Sequence, residues 1–312
     1  MQTTANPQRP TPVSVTVHVA EPRQSVAGIG LMLGSSASNQ TGAALGALAF
    51  PAIGPVGVVA VRQLVTALVL MPTVRPRLRG LTRQQWLPVV ALAVVFSVMN
   101  LSLYEAIQRL GLGLAVTLEF LGPLTVAVLS SRRAIDFCCA GLAAVGVVVL
   151  TDPGPTTDIL GVALALTAAV AWGCYILLNR SAGRLLPGLQ GTAVANAVSA
   201  MLWLPVATWW FATHQPTAVG LLLAAACGLL SSAVPYAADL QALRWVRASM
   251  FGTFTSVNPV WAALAGWLFL HQGLAVHEWT GIALIVVSNV FVSAGAVTAR
   301  RSTLGRPAAR LR

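Results

Sequence analysis

The 312-residue chain contains no lysine, and its 8 acidic residues face 19 arginines. A Gly-rich phosphate loop needs a terminal lysine to reach the phosphates, so ATP-driven pumping within this chain is excluded. Charged residues make up 9% of the chain, hydrophobic residues 56%, and the mean hydropathy is +0.78. That balance is far from a soluble domain. Histidine is scarce: His18 is in the N-terminal tail, and His214, His271 and His277 lie near loops. There is no zinc-binding helix motif and no pair of aspartates within an apolar run. Cys138, Cys139, Cys174 and Cys227 sit in apolar runs without metal-ligand spacing and read as small core residues. No enzymatic activity, metal site or cofactor is therefore expected. An intramembrane enzyme or receptor-like subunit would need a His, Ser or Asp cluster facing a cavity, and the sequence shows none.

What the chain does have is apolar length. Ten apolar segments span 26–48, 55–71, 86–107, 112–131, 135–151, 159–179, 190–211, 217–238, 249–270 and 278–298. A helix crosses about 30 Å of hydrocarbon with about 20 residues. All the arginines except Arg62 and Arg109 fall on alternate loops and the two tails. Positive charge resists translocation, so those loops and both termini are expected in the cytoplasm, and an even number of spans follows. The net charge of +11 and pI near 11.3 are then topology signals spread over many loops. No nucleic-acid partner is expected; the lipid bilayer is. Trp86, Trp203, Trp209, Trp210, Trp245, Trp267 and Trp279 fall near span ends, where indole rings anchor at the interface. Residues 1–25 are rich in Pro, Thr and Gln and read as a disordered tail. No cleavable signal peptide is expected, and 299–312 reads as a basic cytoplasmic tail.

The two halves correspond weakly. A shift of 136 residues carries Ala106, Thr117, Pro123 and Ala127 onto Ala242, Thr253, Pro259 and Ala263. Each unit, 26–151 and 159–298, would hold five helices. Five is odd, so the second would enter the membrane inverted, an architecture of secondary transporters with the substrate near the midplane. The fold class expected is all-α: a polytopic membrane protein with ten transmembrane helices in two inverted five-helix repeats.

The segments "FPAIGPVGVVAVRQ" (Phe50 to Gln63) and "GLGLAVTLEFLGPLTVAVLSSRRAIDF" (Gly111 to Phe137), with Gln40 and "SAVPYAADLQAL" (Ser232 to Leu243), resemble the EamA-type carriers of the drug/metabolite transporter superfamily. Within it, they are similar to the threonine/homoserine exporter (Rht-type) branch. The resemblance covers nearly all of 26–298. It implies ten helices in two inverted repeats in the bacterial inner membrane, and export of small amino acids driven by proton exchange. The alternative is efflux of another metabolite or drug, since other members of the superfamily carry such cargo.

Glu119 lies about seven residues into the fourth span, about 10 Å deep at 1.5 Å per residue. A carboxylate there is expensive and should face the bundle interior or a wet cavity. It is either a proton carrier, a partner for a substrate amine, or a structural hydrogen-bond group. Arg62 lies at a similar depth in the second span, so an Arg62–Glu119 ion pair is sterically available. Arg62 is otherwise a site for a substrate carboxylate, or snorkels outward. The shift of 136 gives Val198 and Thr255 as their counterparts, so the charged chemistry belongs to the first half. The first span, "LGSSASNQTGAALG", is polar for a lipid-facing helix. Asn39 and Gln40 there, with Trp172 and Tyr175 in the sixth span, are candidate cavity lining. Small residues for tight packing account equally for the Ser and Gly positions. Pro123 and Pro259 occupy matched places and read as kinks or hinges. Glu105, Asp239 and Asn258 fall at or near span ends and read as structural or gating residues.

Overall fold

The computed structural model describes residues 22–76, 81–130, 134–152, 158–186, 190–235, 238 and 256–304, the side chains of 22–26 and 293–304 excepted. All regular structure among them is helical: α1 (Pro22–Leu48), α2 (Phe50–Val74), α3 (Arg83–Leu110), α4 (Leu112–Glu119), α5 (Leu121–Leu129), α6 (Ala134–Thr151), α7 (Ile159–Leu185), α8 (Gln190–Thr213), α9 (Ala218–Gly228), α10 (Asn258–Leu270) and α11 (Val276–Leu304). Six stretches are long and apolar enough to cross a membrane: α2, α3, α4 with α5, α6, α7 and α8. Three further apolar helices are shorter: Ala218–Ala233, α10 and Val276–Val292.

Local chemistry sets the ends. Thr82 and Gln85 form a capping box at the start of α3, with the Thr82 amide donating to Gln85 Oε1 at 2.9 Å. Asp158 caps α7 by accepting from the Gly161 amide at 2.8 Å. That bond, opposed by desolvation and aided by the Arg109 guanidinium 3.3 Å away, holds the Asp158 carboxyl below its usual range. Gly111, at φ +84°, turns the chain between α3 and α4, and Gln272 Oε1 accepts from the Leu112 amide there at 3.0 Å.

Three helices are irregular. Gly54, at φ +65°, breaks α2 just before Pro55. The break releases the Ile53 carbonyl, and Trp210 Nε1 of α8 donates to it at 2.8 Å. The fourth expected span is two helices meeting at Phe120. The eighth ends in a π-helical turn, Leu229–Ala233, with the Val234 amide bonded to the Leu229 carbonyl. Pro235 has no N–H, so the Leu230 carbonyl has neither an α nor a π donor. Ser38 Oγ donates to it instead at 2.9 Å, and Ser231 Oγ returns a 2.9 Å bond to the Asn39 carbonyl.

Helices pack as α3 on α7, α1 on α9 and its π turn, α2 on α8, α6 on α11, and α4 on α10. Small residues permit the closest approaches. A Cβ on Gly122 would collide with the Ala169 carbonyl of α7, and one on Gly42 with Ser231. Large apolar side chains such as Leu129, Phe137, Val170, Met201 and Phe291 point outward, the arrangement lipid demands.

Several expectations are corrected. Helix α11 runs to Leu304 and α1 begins at Pro22, each helix extending a few residues beyond the expected span. Trp203 is buried in the main core, because α8 packs that face on α2, while Trp86, Trp209, Trp267 and Trp279 are exposed. Cys138 and Cys174 are exposed rather than core residues, since they lie on outward apolar faces. Pro123 and Pro259, read as kinks or hinges, stand in the first turns of α5 and α10, Pro123 just after the break at Phe120. Residues 1–21, Thr253, Thr255, Asp239 and Trp245 lie outside the described residues.

Candidate functional site

A cavity of about 450 Å³ opens between the helices, with Asn39, Gln40, Arg62, Glu119, Pro123, Trp172 and Tyr175 all in its wall. Pro259 is absent from the wall, but its neighbour Asn258 is part of it. The polar stretch of α1 is thereby explained: Ser35, Ser36 and Gln40 are buried within the bundle rather than facing lipid.

Arg62 reaches the cavity from α2. Its Nη1 donates to Asn100 Oδ1, and its guanidinium lies over the Tyr104 ring, 5.4 Å from the centroid. Asn100 is itself fixed, because its Nδ2 donates to the Phe96 carbonyl at 2.8 Å. The ring contact is of the cation–π type, strongest where water is excluded, and Tyr104 is only 1% exposed. The Tyr104 hydroxyl meets Cys227 Sγ at 2.9 Å. The arginine is thus held by an amide and a ring at the cavity wall.

Glu119 ends α4 where the span breaks and is 6% exposed. Next to it, Phe120 packs edge-on against Trp172, with centroids 4.6 Å apart. Phe96 and Tyr175 form a second aromatic pair at 5.3 Å. The wall therefore combines a cation and a carboxylate from the first half, an aromatic side from α3, the α4–α5 junction and α7, and amides from α1, α3, α10 and α11. Such a site suits a small ligand that carries both charge signs and hydrogen-bonding groups.

Sequence reasoning missed Asn100, Tyr104, Ser231 and Asn289, and set Asn258 aside as a residue near a span end. All five line the cavity. The available signal was a polar amide in each of three apolar runs, "VMNLSL", "SVNPVW" and "VSNVFV". An amide at such a depth needs an internal partner or a ligand.

Comparison with known proteins agrees with this architecture. The model of the EamA-like transporter family matches residues 159–294. The threonine/homoserine exporter RhtA of Escherichia coli (strain K12) is 33% identical over 270 residues, covering 83% of this chain and 89% of that protein. The protein of the same name from Salmonella typhimurium (strain SL1344) gives the same figures. An uncharacterized transporter of Bacillus subtilis (strain 168), YwfM, is 28% identical over 142 residues, 44% of this chain and 46% of its own. One crystal structure, 20% identical, superposes with a TM-score of 0.61 over 89% of this chain and 99% of that one, a likeness of fold.

Proposed function

The chain belongs to the EamA-like transporter family, a multi-pass membrane protein, and from that membership we propose that it is an inner-membrane secondary transporter exporting small amino acids such as threonine or homoserine. Export runs by proton exchange with alternating access. The observation that carries this reading is the cavity itself: it holds Arg62 and Glu119 among amides, in a chain whose relatives include threonine/homoserine exporters. In this reading Arg62 receives the substrate carboxylate, because it brings a guanidinium to the cavity wall. Glu119 carries the proton. A buried carboxylate is costly to leave charged, so substrate and proton occupancy are tied together in one space.

Packing supports two inverted repeats of five helices, 26–151 and 159–298, in ten membrane crossings. Under the 136-residue shift α1 corresponds to α7 and α3 to α9, so the α3–α7 pair corresponds to the α9–α1 pair. The α2–α8 and α6–α11 pairs each correspond to themselves, and α5 corresponds to α10. Both termini are cytoplasmic in this arrangement.

The aromatic side formed by Phe96, Phe120, Trp172 and Tyr175 favours a second reading, efflux of a bulkier metabolite or drug. Transport of labelled amino acids in proteoliposomes, with and without an imposed pH gradient, decides. Gradient-stimulated threonine or homoserine movement upholds the first reading. Movement of cationic drugs or nucleosides alone replaces it with the second.

A further inference from the structure

Hydrogen bonding sorts the asparagines of the cavity by what they have left to offer. Asn100 is spent at both ends, its Nδ2 on the Phe96 carbonyl and its Oδ1 on Arg62. Asn289 gives its Nδ2 to the Ile285 carbonyl at 3.1 Å, which leaves its oxygen as the group it can offer. Asn258 differs from both. It is 8% exposed, it lines the cavity, and its buried Oδ1 has no hydrogen-bond partner in the protein. Native structures rarely keep such a group without a use for it. An amide oxygen is only an acceptor, so what it lacks is a donor.

The π turn also reaches this cavity, through Ser231. The π turn and Pro235 together strip helical donors from the Leu230 carbonyl, and Pro235 denies the Ser231 carbonyl its α-helical donor as well. Ser38 takes up the Leu230 carbonyl. Ser231 lines the same cavity as Arg62 and Asn258.

We propose that Asn258 Oδ1 accepts a hydrogen bond from the ammonium group of the substrate, so that the second half holds the amine while Arg62 holds the carboxylate. This rests on the amino-acid reading above and divides its labour further. A cationic N–H is a strong donor to a buried neutral acceptor. Asparagine does not titrate, so the amine site stays in one state whether or not Glu119 holds a proton. Amine recognition and proton transfer then fall on different residues, and Glu119 need not release its proton for the ammonium to bind.

The test is threonine exchange in proteoliposomes, with 3-hydroxybutyrate as a competitor that keeps the carboxylate and hydroxyl but has no amine. Asn258→Ala is expected to raise the KM for threonine about tenfold or more, the size expected for a charged hydrogen bond, with the inhibition constant of 3-hydroxybutyrate moved less than twofold. Asn258→Asp, of equal size and opposite in charge to the ammonium, is expected to bring the threonine KM back to the wild-type range. An unchanged threonine KM in Asn258→Ala, or an equal loss for both ligands, overturns the assignment. If 3-hydroxybutyrate does not compete with the wild type, the comparison of Asp with Ala decides alone: equal KM values overturn it. If the wild type exchanges no threonine, the substrate reading falls and this inference falls with it; normal wild-type exchange with an insensitive Asn258 removes the inference alone.

Discussion

Gln63 Nε2 donates to Ser199 Oγ at 2.8 Å in the buried contact of α2 with α8, and the two residues stand 136 positions apart. That separation is the offset that lays one half of the sequence on the other. In a chain of two related halves, a residue bonded to its own counterpart lies on the axis relating them. Ser97 Oγ, 3.0 Å from Ser199 Oγ, adds α3 to the same buried cluster. The sequence comparison alone did not single out this pair, because glutamine and serine share no identity to score.

If this contact sits on the axis, both helices depend on it. Gln63→Ala and Ser199→Ala should each cost about 1 kcal/mol of stability. The double variant should cost less than the sum, since either change already empties the bond. Denaturant unfolding of the four proteins in detergent measures the coupling; strict additivity would show that the two side chains do not interact.

Glu119→Gln keeps the shape of the side chain and its hydrogen bonding but cannot cycle a proton. The variant is expected to fold, reach the membrane and exchange substrate, while losing uptake or release driven by a pH gradient. Full gradient-driven transport by this variant would leave Glu119 a structural residue.

Arg62→Ala should be harsher, costing about 3–5 kcal/mol if an ionised Glu119 loses its compensating charge. Combining it with Glu119→Gln should recover part of that loss. Detergent-extracted yield and melting temperature of the single and double variants provide the comparison, and no recovery would mean that the two groups are not coupled.

Orientation is tested by tags. Reporters at residue 80 and at the C-terminus should register cytoplasm, and those near 155 and 214 the periplasm. A periplasmic C-terminus would break both the ten-span count and the inverted repeat.

The Asp158 cap gives a pH dependence of defined sign. Its carboxyl titrates below the usual value of 3.8, mainly through the Gly161 amide. Its contribution to stability is therefore complete above about pH 4 and is lost as the pH falls through the lowered folded value. Asp158→Asn should lower the melting temperature at neutral pH and flatten its fall below pH 4. An unchanged acid limb would assign that fall to other carboxylates.

Much of the candidate site was legible because bilayer physics is severe. Arg62, Glu119, Asn39 and Gln40 stood out as polar groups in apolar runs, and all four line one cavity. Asn258 was discounted because a span boundary, good to a few residues, decides whether an amide counts as buried. The π turn was not legible, since its cause is local, at Pro235, but its remedy is Ser38, 192 residues from Leu230. Trp203 misled because an indole near a span end suits an interface and a core equally well. The packing of α8 on α2 makes that choice, and no single segment encodes it.

The break at Gly54 divides α2 into two mechanical parts. The short N-terminal stub, Phe50–Ile53, is tied to α8 through Trp210, and the remainder carries Arg62. Both parts are bonded to α8, the stub through Trp210 and the remainder through the Gln63–Ser199 contact beside Arg62. Replacing Gly54 would strain a backbone at φ +65° and press a Cβ against the Trp210 ring. The same single residue therefore lets one helix meet its neighbour along two directions, anchored once on each side of the break.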